Sequence, residues 1–127
     1  MIYGTGIDLV KIERIEKVIK RWGDRFINRV YTPDEREFCL KRVSPYSAFA
    51  LRFAAKEAFS KALGTGMRKG VAWRDIEVFH YEGGRPGLKL HGRSLALCRD
   101  EGIISFHVSL SDEKEYGVAM VILEKKQ

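Results

Sequence analysis

At 127 residues the chain has room for one domain, and with 45% hydrophobic residues it can bury a real core. Its 23 Lys and Arg against 17 Asp and Glu leave a net charge of +6, which favours anionic partners: nucleic acid, phosphorylated ligands, acidic proteins or an anionic membrane surface. Charges of both signs, 31% of the chain, argue against wholesale disorder, and no apolar run approaches the roughly 20 residues of a membrane span.

The opening MIYGTGID has no basic stretch followed by an apolar one, so it does not read as a signal peptide. Ile2 to Ile7 reads as a first strand. Apolar residues at Ile12, Ile15, Val18 and Ile19 then carry helical spacing, with Lys11, Arg14, Lys17 and Arg21 on the other face and Gly23 as the stop. Thr32-Pro33-Asp34-Glu35 predicts a capping box that starts a helix running to about Lys41. Cys39 and Cys98 stand in no CxxC pattern, which argues against a zinc or redox motif and suits reduced thiols in the cytoplasm. Ser44-Pro45 opens a third helix that ends at Leu63 before Gly64-Thr65-Gly66. Asp75 to Tyr81 and Leu88 to Leu90 read as strands around the turn Glu82 to Gly87. A short helix follows from Ser94 to Asp100. Ile103 to Leu110 and Tyr116 to Leu123 then form a hairpin joined by Ser111 to Lys114. This order predicts a single α+β domain over residues 1–127, with helices packed on a mostly antiparallel sheet.

Three segments hold polar groups in suggestive patterns. In the helix from Pro45 to Leu63, Arg52, Lys56, Glu57, Ser60 and Lys61 fall within about half a turn of the wheel, opposite Leu51, Ala54, Ala55, Ala58, Phe59 and Ala62. Periodicity alone favours a solvated face carrying a Glu57–Lys61 surface pair. In Gly4-Thr5-Gly6-Ile7-Asp8 the two glycines bare one strand face to a close neighbour. Asp8 stands where a cap for the next helix, or a metal ligand, would stand. In His107-Val108-Ser109-Leu110-Ser111 an imidazole and two hydroxyls share one face, which suits an exposed sheet surface. No Walker, Rossmann or GxSxG motif accompanies them.

Together and in this order, G-x-G-x-D, R-F-x-x-K-E-A-x-x-K and H-V-S-x-S resemble the holo-[acyl-carrier-protein] synthase group of phosphopantetheinyl transferases. The resemblance runs nearly the whole chain. It implies transfer of 4′-phosphopantetheine from coenzyme A to a serine of apo acyl carrier protein, releasing adenosine 3′,5′-bisphosphate. It implies Mg2+ held by Asp8 and Glu57, with Lys61 reaching the same phosphates. Two carboxylates plus a diphosphate meet the oxygen-ligand preference of magnesium. Arg52, Lys56, His107, Ser109 and the turn Gly84-Arg85-Pro86 match positions near the nucleotide, with Arg52 and His107 expected at the 3′-phosphate. Arg14, Lys17, Val18, Arg21 and Arg25 would meet the acidic carrier protein.

The resemblance further implies a homotrimer with active sites between subunits. The proton acceptor stays open among Glu57, a metal-held water and a neighbouring carboxylate. Several relatives carry a further histidine in the turn after H-V-S-x-S. Asp112 and Glu113 stand there in this chain, so no role for it transfers. The main alternative, a small basic module binding nucleic acid or an acidic protein without catalysis, lacks any helix-turn-helix, RNP, KH or zinc-finger signature. A second alternative, a transferase acting on carrier domains of large synthases, fits the short chain less well.

Overall fold

The structure is a computed structural model that describes residues 1–127. Strand β1 (Ile2–Lys11) leads directly into helix α1 (Ile12–Trp22), then α2 (Asp24–Val30), α3 (Pro33–Leu40) and the long α4 (Pro45–Leu63). A single 3₁₀ turn (Trp73–Asp75) precedes the hairpin β2 (Ile76–His80) and β3 (Pro86–Leu90). Helix α5 (Gly92–Asp100) and the hairpin β4 (Ile103–Glu113) and β5 (Tyr116–Lys125) complete the chain. Both sheets are antiparallel: one runs β1-β5-β4, the other pairs β2 with β3. The α+β architecture follows the sequence expectation, with the strands divided between two sheets.

Local chemistry explains most boundaries. The Thr32 side chain accepts from the Glu35 amide, and Glu35 returns a bond to the Thr32 amide, so the capping box forms. Gly64 takes a left-handed conformation, φ 88°, and closes α4. Two expectations fail. The first strand runs on to Lys11, which is itself the residue before α1, so Asp8 lies inside the strand and caps nothing. Helix α2, not anticipated, follows Gly23 directly and is only seven residues long, too short to show a periodic stripe.

One cluster of 27 buried residues unites the fold. Helix α4 lies at its centre, packed on the inner faces of β1 and β5 with α1 and α3 alongside. Its apolar face is built from Ala54, Ala55, Ala58 and Phe59, all without solvent exposure. The outer face of the three-stranded sheet is uncovered in the single chain and displays Ile7, Leu9 and Met120. No helix is long and apolar enough to cross a membrane.

Candidate active site

Close contact between β1 and α4 builds the first part of the site. Gly4, Gly6 and Asp8 share the inner face of β1. A Cβ on Gly6 would collide with the carbonyl oxygen of Ala58 and lie 2.8 Å from the Ala62 nitrogen; one on Gly4 would collide with the Ala62 carbonyl. Only bare backbone lets the helix sit this near, and the next inward side chain, Asp8, meets the last turns of α4. There Lys61 Nζ donates to Asp8 Oδ1 at 3.0 Å and to the Ile7 carbonyl at 3.0 Å. Glu57 faces the same spot. Its carboxyl is raised above the ordinary range by burial and then by the negative charge of Asp8, while Lys61 and Arg14 act the other way. Because Lys61, one turn beyond Glu57 on α4, is bonded to Asp8, the two carboxylates, distant in sequence, lie against the same stretch of the helix. The surface ion pair expected between Glu57 and Lys61 does not form, because Lys61 turns to Asp8.

The rest of the polar stripe is not solvated. Arg52 is 2% exposed, and Lys56 and Ser60 are fully buried. Lys56 Nζ spends its three donors on Glu35 Oε1 (2.7 Å), the Trp73 carbonyl (3.0 Å) and the Ile76 carbonyl. Glu35 also accepts from the Thr32 amide through Oε1 and from the Val78 amide through Oε2, each at 3.0 Å. The ion pair thus ties α4 to α3 and β2. Lys56, expected beside the nucleotide, has no donor left for a ligand; that expectation is corrected to a framework role. Sequence reading recognised Glu35 only as a capping residue. A buried cation about three turns along the next helix was the missing half of the pattern.

Arg52 opens instead onto a cleft of about 570 Å³ between the end of α3, the start of α4 and the tip of the β2–β3 hairpin. Gly84 and Pro86 line it with Lys41, Arg42, Phe38 and His80, and Asp112 closes one side. Three cations against one carboxylate make it an anion-attracting cavity. The Arg52 guanidinium lies 4.2 Å from the centroid of Phe38, which stacks on His80 at 4.8 Å. Arg52 Nη2 meets His80 Nδ1 at 3.2 Å, while its buried Nε has no partner. Burial, then the charges of Arg52 and Arg42, hold His80 below its usual value, so its neutral ring accepts from Arg52. Arg85 points away and rests on Tyr81, 4.7 Å from the ring centroid. Sequence reading missed Phe38, Lys41, Arg42 and His80. None has a motif, and only the fold brings them to Arg52.

His107 and Ser109 lie on the other side of the sheet. Phe106, Val108 and Leu110 turn inward, and Leu110 reaches the Arg52 cleft, so His107, Ser109 and Ser111 face outward. His107 Nε2 pairs with Glu124 Oε1 at 2.6 Å, and Ser105 donates to the same oxygen at 3.0 Å. Within one chain, His107 does not join Arg52. Arg14, Lys17, Arg21 and Arg25 are exposed on α1 and α2. Lys17 pairs with Glu13, Arg21 and Arg25 lie over the Trp22 ring, and Val18 shares a shallow groove with Trp22, Arg25, Phe26 and Arg29. The charge of Arg14 acts on Glu57, the smallest of the influences on that carboxyl.

A pair of converging carboxylates beside a lysine, next to a basic cleft, on this α+β frame, marks a class. The sequence profile of the 4′-phosphopantetheinyl transferase superfamily matches residues 4–121, and the chain belongs to that family. Its relatives narrow the assignment to the holo-[acyl-carrier-protein] synthases: the chain is 49% identical to that of Koribacter versatilis over 98% of its own length and 99% of the relative's. It is 46% identical to that of Geobacter sulfurreducens, with 98% and 99% covered. The crystal structure of the Neisseria meningitidis synthase superposes with a TM-score of 0.92 at 38% identity, covering 98% of this chain and 100% of that one. The Helicobacter pylori synthase in complex with coenzyme A gives 0.84 at 33% identity, covering 94% and 99%.

Proposed function

We infer that this chain transfers 4′-phosphopantetheine from coenzyme A to a serine of apo acyl carrier protein, using Mg2+ held by Asp8 and Glu57. The convergence of those two carboxylates beside Lys61 carries the reading. Their hard oxygens, one inward carboxylate from a strand and one from a helix, fit a cation that takes one or two carboxylates and fills its remaining positions with phosphate and water. When bound, the ion supplies charge neutralisation at the diphosphate.

The chain's own groups do the remaining work. Arg52, with Lys41 and Arg42, attracts the nucleotide's phosphates into the cleft, and Gly84 and Pro86 bound its far wall. Five residues of α4, about 7.5 Å of rise, separate Arg52 from Glu57, so the cleft and the carboxylates stand on one helix within a turn and a half of each other. Lys61 binds the phosphate oxygens. The serine oxygen bonds to phosphorus as the bond to adenosine 3′,5′-bisphosphate breaks, and the serine proton passes to a water that Glu57 orients.

The partner supplies the nucleophile, so the surface that receives it matters. The basic stripe Arg14, Lys17, Arg21 and Arg25 beside the Val18 groove suits an acidic carrier protein, and the charge of Arg14 acts on Glu57. The uncovered outer sheet face suits a homotrimer, in which His107 and Ser109 of one subunit would complete the cleft of the next. Apo carrier protein incubated with this chain, coenzyme A and Mg2+ should gain the mass of one phosphopantetheine. Asp8→Ala and Glu57→Ala should each cut that transfer about a hundredfold or more while leaving circular dichroism unchanged. Near-normal transfer by either variant removes the metal assignment.

A further inference from the structure

Lys61 already makes at Asp8 the contact that a metal ion would make. Its ammonium lies 3.0 Å from Asp8 Oδ1 and 3.0 Å from the Ile7 carbonyl oxygen. Both are hard oxygen acceptors of the kind a small divalent cation seeks. Glu57 faces the same place from one turn back along α4. A divalent ion and an ammonium on one carboxylate oxygen repel each other strongly across a few ångströms.

The two lysines of this helix are held very differently. Lys56 is fully buried and locked by three acceptors. The Lys61 side chain is half exposed, and a four-carbon stem with a rotating ammonium can swing to a new partner at little cost. Asp8, in contrast, is fixed on a strand and largely covered. The mobile member of the pair is therefore the lysine.

Building on the metal reading above, we propose that Lys61 is a resident substitute for the cation: it neutralises Asp8 in the metal-free protein and leaves that carboxylate when a divalent ion arrives. The displaced ammonium is then free for phosphate oxygens beside the ion. Metal binding and diphosphate binding become coupled through one side chain, since the ion releases the lysine that the second ligand needs. Lys61 then acts in two opposed ways, weakening metal binding while strengthening phosphate binding.

The test is a titration of Mn2+ alone, without coenzyme A, followed by the electron paramagnetic resonance signal of the free ion. Lys61→Met keeps the length of the stem and removes the charge. Its Kd for Mn2+ should fall about two- to fivefold below that of the unaltered protein, the size expected for loss of a half-exposed competing ion pair. Asp8→Asn should lose the site. A second measurement needs no variant at Lys61: acetylation of Lys61, followed by mass spectrometry, should be slow without metal and faster with Mg2+ alone. Unchanged or weaker Mn2+ binding by Lys61→Met, or a labelling rate indifferent to Mg2+, overturns the exchange while leaving the metal site standing. Absence of Asp8-dependent Mn2+ binding in the unaltered protein overturns the metal site and the exchange with it.

Discussion

The Glu35–Lys56 pair shows how far a side chain's surroundings can depart from its place on a helical wheel. Two charges with no solvent exposure are tolerable only because every donor and acceptor between them is used. Burial pulls Lys56 below its ordinary value and Glu35 pulls it back up. Replacing Lys56 with Met leaves a carboxylate and two carbonyls stranded in the core. It should destabilise the protein by about 3–5 kcal/mol, read from urea denaturation. A surface lysine would give a change of a few tenths. The same comparison shows what was legible at this scale. Asp8, Glu57 and Lys61 were singled out together only through the family resemblance, and the fold does bring Lys61 against Asp8 one turn from Glu57. Lys56 was grouped with the nucleotide site because it shares a motif with Arg52 and Glu57, while its own partners lie 21 and 20 residues away, at Glu35 and Ile76. Spacing along one helix cannot report such contacts.

At the scale of elements, the glycine face of β1 was legible as a close approach, and α4 proves to be the element that approaches. The alanines of the helix and the glycines of the strand meet backbone to backbone. Gly6→Ala should therefore do more than fill space: its methyl must push α4 off the strand and carry Glu57 and Lys61 away from Asp8. A loss of stability of about 1–3 kcal/mol, as for an overpacked core, is expected in thermal melts. Transfer activity should fall further than the melting temperature alone explains. An Ala at Gly102, which has open space around it but a φ of 73°, provides the contrast: backbone strain without displacement of the site. Helix ends with strong local chemistry, such as Thr32 and Gly64, were readable from sequence. The end of β1 was not, because nothing in Leu9-Val10-Lys11 distinguishes an extending strand from the first turn of a helix. Pairing of Leu9 with Val118, and of Lys11 with Tyr116, decides it.

The whole molecule titrates as well as folds. Burial raises Cys39 from an ordinary 9.0 to about 12 and Cys98 to about 11, and moves Tyr31 well above its ordinary 10.0. Each is an acid held protonated by the fold. In the unfolded chain they lose protons first as the medium turns alkaline, so the folded state binds more protons there and its stability falls with rising pH. The contribution is intact below the unfolded values near 9–10 and disappears as pH climbs towards 11–12. Urea midpoints measured from about pH 8 to pH 10.5 should drop steadily, and Cys39→Ala should flatten the slope.

The outer sheet face sets the last expectation, because it concerns how many chains make one working unit. Ile7, Leu9 and Met120 are 62%, 65% and 42% exposed, and strand register puts Met120 between Ile7 and Ser109. Apolar residues grouped on a flat sheet are costly to leave in water, and single chains rarely display such a patch without use. The same face presents His107 and Ser109, which no contact within the chain brings to the Arg52 cleft. A neighbour seated on the face would answer both facts, covering the apolar residues and delivering the imidazole to a second chain's phosphate site. Met120→Glu puts a charge at the centre of that contact without touching the core, since the side chain already faces out. Light scattering at micromolar concentration should show the unaltered protein as a trimer and the variant as a monomer of 14.6 kDa. Circular dichroism should match, and the KM for coenzyme A should rise because each cleft has lost its borrowed histidine. A monomeric unaltered protein with full activity would show that the cleft works alone and that His107 has no part in it.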